Sequence, residues 1–392
     1  MSTCCKASTS GFKADCKPAQ CYIENMKNKN KPDGNKPDDN QPNVNIVLGP
    51  GTLSSLPELL AKHGSKVLLV HGHRPVEDGL LAKVRVLLNK ANFEHANMGQ
   101  ILPNPKYSSV KRGIKVARKE KCDIILALGG GSTLQCAKGI ALGMGYKGDV
   151  WDFWTGKKTP EKVYPVASIL TNPASGDELS TGCTLVRKGK QETIHLEQLA
   201  CTFAILDPNL SMYPLYPTMN QIFVVFCRLF FACLQKDHQR REKAASLAGQ
   251  LLNTADALRE DITNIKARTE LYKIGLAAHQ EVGKVNDPLS SLAGKLSFAC
   301  SLPEGSALSA LFNAWCNHLN LQQKEQLLEY GQAISQVPVS DWDSFMAILN
   351  KKIKIMELPL SLPQSGLMAA NRELETLAAG KLEKEVLKEA NQ

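Results

Sequence analysis

The run DIILALGGGSTLQCAKGIA at residues 123–141 constrains this chain more than any other stretch. DIILAL is short and continuously apolar, as in a strand buried on both faces. It passes through Gly129, Gly130, Gly131 and Ser132 straight into helical spacing over residues 133–142. A strand feeding a helix through a glycine turn is the repeating unit of a parallel α/β sheet. Such a turn also makes a phosphate cradle. Glycine lets the backbone approach closely, and the helix start supplies free N–H groups and a favourable dipole. The spacing is not GxGxxG, so no dinucleotide fingerprint of that form is present. Tight packing of helix on strand would call for small residues there as well.

Strand-like runs recur at residues 44–48, 66–70, 163–171 and 200–206, with helical spacing at 53–62, 79–91 and 106–119. After Asp207-Pro208 the strand signals nearly vanish, and residues 218–235, 241–281, 287–299, 304–335 and 341–354 read as helical. The pattern predicts an α/β fold: a dinucleotide-binding-type domain with a parallel sheet over residues 43–207, then an all-helical domain over 208–392. Residues 1–42 stand apart as an extension. NKPDG at 30–34 and NKPDD at 35–39 form a short tandem repeat, and such a composition cannot bury enough apolar area to offset chain entropy. The extension is expected to be a disordered tail or a segment ordered along a partner.

Twelve cysteines occur without a CxxC pair, which argues against a zinc ribbon or a thioredoxin-type site. Most sit in apolar runs and read as small buried hydrophobes in a reducing compartment. Cys4, Cys5, Cys16 and Cys21 lie in the polar extension and are expected to be free thiols; acylation or crosslinking is the other reading. No stretch of eighteen apolar residues and no apolar leader segment occur, so neither a membrane span nor a secretory signal is expected. The expected setting is the cytoplasm or a cytosol-facing assembly. The formal charge of +9 suits an acidic partner surface, and the phenylalanines are not arranged as stacking platforms for a specific nucleic acid.

Several spaced segments occur in a telling order: NIVLGPGTLSSL (45–56), KVLLVHG (66–72), ILPNP (101–105), the glycine turn, GDVWDFWTGK (148–157), TNPASGDELS (171–180) and FAILDPNLSMYP (203–214). Over residues 43–320 the chain resembles the iron-containing alcohol dehydrogenases, in particular the NADP-dependent butanol dehydrogenase branch. The resemblance implies the dehydroquinate synthase-like fold: a dinucleotide-binding α/β domain, a helical metal-binding domain and a cofactor cleft between them. It further implies reduction of aldehydes or oxidation of primary alcohols, and often dimers. The pyrophosphate would rest on Gly129, Gly130, Gly131 and Ser132, with Thr171 beside it.

The resemblance also shows where this chain departs. The family's metal ligands are an Asp and a His at i, i+4 on one helix face and two later His. Those positions here are Val224, Arg228, Gly294 and Glu304. Only Glu304 can bind a metal, and Arg228 cannot lose its proton. His238 and Glu242 share a helix face, but the spacing fits a solvated charged surface better than a relocated ligand pair. The first glycine turn of the family has become His71-Gly72-His73-Arg74-Pro75, where Pro75 offers no N–H. Arg74 is either a loop cation or a phosphate contact. The family's acid three residues after the pyrophosphate serine is Gln135, and the serine of its TGSE-like segment is Asp177.

These substitutions point to a fold kept and a reaction dropped: a structural or assembly subunit without iron or zinc, attached to a protein partner through its extension and basic surface, in a homodimer or larger assembly. Two other readings stay open. One is a metal-free sensor that still binds NADP or NAD; the other is an active alcohol dehydrogenase or aldehyde reductase with relocated chemistry. For the former metal site, Arg228 is expected to replace the ion's charge and meet Glu304. The alternative is that Arg228 turns away while Glu304 starts a helix.

Overall fold

A computed structural model describes residues 43–173, 176–367 and 376–392. The extension at 1–42, with its four cysteines, lies outside the described residues. Six parallel strands form one sheet in the order β1-β8-β5-β4-β2-β3. They are β1 (Asn45–Leu48), β2 (Lys66–His71), β3 (Glu94–Met98), β4 (Ile124–Gly129), β5 (Val166–Leu170) and β8 (Phe203–Leu206). Every residue of β4 is buried, because helices cover both faces. Ile124, Leu126 and Leu128 pack towards α1 (Leu56–Leu60) and α3 (Leu80–Lys90). Ile125 and Ala127 pack towards α4 (Tyr107–Lys119) and α5 (Gly131–Met144).

Three strands escape the sequence reading: β3, a largely part-exposed strand at the edge of the sheet, and two more outside it. β6 (Gly182–Arg187) and β7 (Lys190–His195) form a separate antiparallel ribbon. Lys188 and Gly189 join them with φ of 51° and 75°, and two successive positive φ values are what a tight hairpin turn needs. The Lys-Gly pair was the available signal.

From Pro208 onward the described residues contain helices and no strand. They are α6 (Leu215–Ala232), α7 (His238–Glu260), α8 (Ile265–Gln280), α9 (Pro288–Cys300), α10 (Glu304–Asn317), α11 (Leu321–Glu329), α12 (Gly331–Ser335), α13 (Trp342–Ile355) and α14 (Lys381–Ala390). The helical run expected over 241–281 is two helices, since the Asn264 side chain accepts from Ala267 N–H and caps a new start. The run over 304–335 breaks likewise at the capping box of Asn320 and Gln323. α6 is apolar and long enough to cross a membrane by composition, yet most of it is buried in the helical core. Its Phe223, Phe226 and Phe230 pack around Phe312 of α10 at centroid distances of 5.7, 6.1 and 5.1 Å. Seven cysteines among the described residues are buried free thiols, and Cys300 is half-buried.

Candidate functional site

The carboxyl ends of the strands face the helical layer, where ligands of open α/β sheets bind. At the end of β4, Gly129 has φ +143°, a conformation that side chains rarely adopt. Gly130 precedes α5 as its N-cap and provides no capping side chain, so the first turn of α5 offers its N–H groups outward. This backbone fits a pyrophosphate. The two hydroxyls assigned beside it already have internal partners. Ser132 Oγ accepts from Asn104 N–H at 3.3 Å, and Thr171 Oγ1 is 2.8 Å from the Tyr213 hydroxyl.

The turn after β2 fits a nucleotide less well. His73 and Arg74 start a short helix, α2 (Arg74–Glu77), and Pro75 sits in its first turn, where a missing N–H is tolerated. Arg74 is not a free loop cation, because it is engaged by its neighbours. Its guanidinium stacks 4.1 Å from the Tyr213 ring centroid, donates to the Met212 carbonyl at 3.2 Å and to Asp78 at 3.0 Å. It thus spans the wall of a cavity of about 280 Å³ that includes Asp78, Thr171, Asn209 and Met212. Tyr213 was missed in the sequence because its role depends on contacts with residues far away in the chain.

The loop after β5 is fixed from below. Gly176 has φ +62°, and a Cβ there would stand 2.4 Å from the His279 ring of α8. Gln135 donates from Nε2 to Asp177 Oδ1 at 2.7 Å and accepts from Thr184 N–H at 2.7 Å. The two positions where the family pattern is broken therefore touch. The acid that the resemblance places at 135 has moved across one hydrogen bond to 177. Beneath them Lys138, fully buried, donates from Nζ to the carbonyls of Asp177 (2.8 Å), Ser180 (2.5 Å) and Gly182 (3.3 Å). The single charged residue in the glycine-rich α5, a lysine, was the signal for this anchor.

Next to it Glu178 is 2% exposed, and its Oε2 has no hydrogen-bond partner among the described residues. Burial pushes its carboxyl up to about 7, and the neighbouring Asp177 adds to the shift. The folded value is above the ordinary 4.5, so its stabilising contribution is full below that ordinary value and is lost as pH rises through about 7. The unfolding free energy should therefore fall between about pH 5 and 7, by up to ~1.4 kcal/mol per pH unit from this group, and the melting temperature with it. In Glu178→Gln the fall should shrink. Equal slopes in both proteins would show that Glu178 is not the source.

A second cavity, about 260 Å³, lies between the sheet and the helical layer and is lined by Asn172, Tyr216, Asn220, Gln221, Val224 and Glu304, among others. Tyr216 and Asn220 are tied by the Ser306 hydroxyl, at 2.6 and 2.8 Å. Of the four positions assigned to metal ligands, Val224 and Glu304 line this cavity. Gly294 does not, and a Cβ there would meet nothing within 4 Å. The guanidinium of Arg228 does not meet Glu304, contrary to expectation. It donates from Nε to Ala278 O at 3.0 Å and from Nη2 to Gly283 O, satisfying one carbonyl in the last turn of α8 and one just beyond it. Burial lowers its pKa while Asp287 opposes the shift, and the group stays charged. Glu304 keeps accessible surface at the start of α10, yet dehydration in the cleft and the fields of Asp177 and Asp287 raise its carboxyl. Among the described residues no three His, Cys, Asp or Glu side chains stand together as a metal set. The residues present do not fit an iron or zinc ion at these positions.

The sheet, the glycine turn and the helical layer match known proteins. The sequence pattern of iron-containing alcohol dehydrogenases matches residues 42–208. The probable NADH-dependent butanol dehydrogenase 1 of Bacillus subtilis is 30% identical over 288 residues, 70% of this chain and 73% of that protein. The 1,3-propanediol dehydrogenase of Klebsiella pneumoniae is 35% identical over 282 residues, 69% of this chain and 72% of that one. The chain belongs to the iron-containing alcohol dehydrogenase family. The crystal structure of NADH-dependent butanol dehydrogenase A from Thermotoga maritima superposes with a TM-score of 0.81 at 22% identity, covering 90% of this chain and 98% of that one. That likeness extends the family fold through the helical layer, beyond the residues matched by the sequence pattern. His238 and Glu242 form an exposed pair 3.5 Å apart on α7, with no third ligand beside them among the described residues.

Proposed function

We propose that this family member is a structural or assembly subunit that has kept the fold and lost alcohol dehydrogenase chemistry. The observation that carries the reading is Arg228. It occupies a position that the resemblance gives to a metal ligand, it cannot deprotonate, and two backbone carbonyls hold it in place. Hydride transfer to a carbonyl needs an electrophile for the developing alkoxide, and Val224, Gly294 and Glu304 supply no such group. Fold does not dictate function, so the sheet and cleft are compatible with a scaffold role. The role carries with it a protein partner, a homodimer or larger assembly, and a cytosol-facing setting. A specific observation favours retained NADP or NAD binding as the second reading: the open backbone of Gly129–Ser132 at the start of α5. Against it stands Arg74, stacked on Tyr213 in the adjoining groove.

The test is direct. Purified protein should carry far less than one equivalent of iron or zinc, a chelator should leave its melting temperature unchanged, and it should not reduce aldehydes with NADPH. Stoichiometric metal, removed together with stability on chelation, would overturn the reading. Micromolar NADPH binding without turnover would favour the sensor instead.

A further inference from the structure

We propose that the outer face of α4 docks an acidic helix of a partner protein. The face stands away from the cleft, and the inference does not depend on whether the cleft is active. α4 turns Tyr107, Val110, Ile114 and Ala117 into the core and leaves Lys111, Arg112, Lys115, Arg118 and Lys119 exposed. The helix contains no acidic residue. Lys115 therefore has cations at i−4, i−3, i+3 and i+4, an arrangement that destabilises a helix by a few tenths of a kcal/mol per pair. A partner of opposite sign reverses that repulsion.

The cationic strip continues beyond both ends of the helix. Lys111 and Arg187, the latter at the end of β6, flank the same Tyr107 ring at 5.5 and 4.8 Å. At the other end Arg118 donates to the carbonyls of Gly143, Met144 and Tyr146, which brings the strip to Lys147. Arg112 donates to the Gly99 carbonyl at 2.9 Å. Both arginines are thus held before any partner arrives, which reduces the ordering cost of association. The acids nearby are already engaged. Glu120 is 3.9 Å from Lys119, Asp149 takes Arg187 and the Tyr107 hydroxyl, and Asp152 accepts from Tyr146.

Spacing selects the partner. Side chains three and four apart on a helix repeat every ~5–6 Å, so an acidic helix presents carboxylates at the pitch of this strip. A single-stranded nucleic acid would call for stacking rings, but Tyr107 and Trp151 are 7% and 8% exposed, beneath the cations. A membrane surface would call for apolar tips among the cations, and no exposed residue of α4 is apolar.

The probe is a fluorescent, glutamate-rich helical peptide of roughly 16 residues, titrated into the full chain and read by anisotropy. Binding should appear at low salt and weaken about tenfold or more at ~0.3 M salt. Lys115→Glu with Lys119→Glu should lower affinity at least about tenfold. Lys351→Glu with Lys354→Glu on α13 makes the same change in net charge and should leave binding intact. Neither pair has a buried partner, and the first relieves repulsion, so both variants should melt near the parent. Equal losses in the two variants, no binding at low salt, or tighter binding of a single-stranded oligonucleotide or a phosphatidylserine vesicle would overturn the proposal.

Discussion

Lys138→Met is expected to destabilise the protein by about 3–5 kcal/mol, the cost of removing one side of a buried charged contact. The ammonium is fully buried and serves three carbonyls at once, those of Asp177, Ser180 and Gly182. Methionine fills most of the volume but donates nothing, so all three carbonyls lose this donor, and among the described residues only that of Asp177 keeps another, the Ser180 N–H at 3.2 Å. The burial that raises the Asp177 carboxyl is opposed chiefly by Lys138, and that opposition would go too. The urea midpoint should drop with an unchanged slope, since the surface exposed on unfolding is the same. Amide exchange should rise first at residues 176–182. A shift below about 1 kcal/mol would mean that the carbonyls regain partners and that the anchor is not essential.

Arg228→Ala should cost about 2–4 kcal/mol, from two charge-assisted hydrogen bonds to Ala278 and Gly283 and the unpaired carbonyls left behind. The same geometry predicts that Glu304→Ala adds to this independently, within ~0.5 kcal/mol, because the two side chains share no contact. A double-mutant coupling above about 1 kcal/mol would restore the direct pair that the sequence suggested. Arg228→Lys should recover only part of the loss, because an ammonium cannot reproduce the guanidinium fork.

Five strands of the main sheet were legible because burial leaves continuous apolar runs such as DIILAL, bounded by glycine; β3, a largely part-exposed edge strand, was not. The change to helices after Pro208 was legible for a similar reason, the loss of β-rich runs. Breaks inside the helical layer were not. Asn264 and Asn320 are ordinary helix-surface residues until their side chains cap a start, and nothing in the periodicity marks that event. The glycine turn was legible as the turn between β4 and α5, and the departures from the family are a reading of the sequence alone. The partners were not legible. Arg228 binds carbonyls 50 and 55 residues away, and every residue carries a carbonyl, so the sequence offers no means of choosing among them. Charge complementarity suggested Glu304 instead, but carbonyls in the last turn of α8 and just beyond it take the guanidinium. Arg74 was misplaced for a like reason: its stacking partner Tyr213 belongs to a segment brought close only by the sheet.

The Gln135–Asp177 contact bears on the history open to this chain. Restoring an acid at 135 alone would set two carboxylates against each other over 2.7 Å; restoring serine at 177 alone would leave the Gln135 amide without its acceptor. Each single reversion is worse than either end state, so the two substitutions act as a ratchet. A lineage that has taken both steps must retake both together to return, which makes drift back towards the ancestral site improbable even where the surrounding glycines are intact.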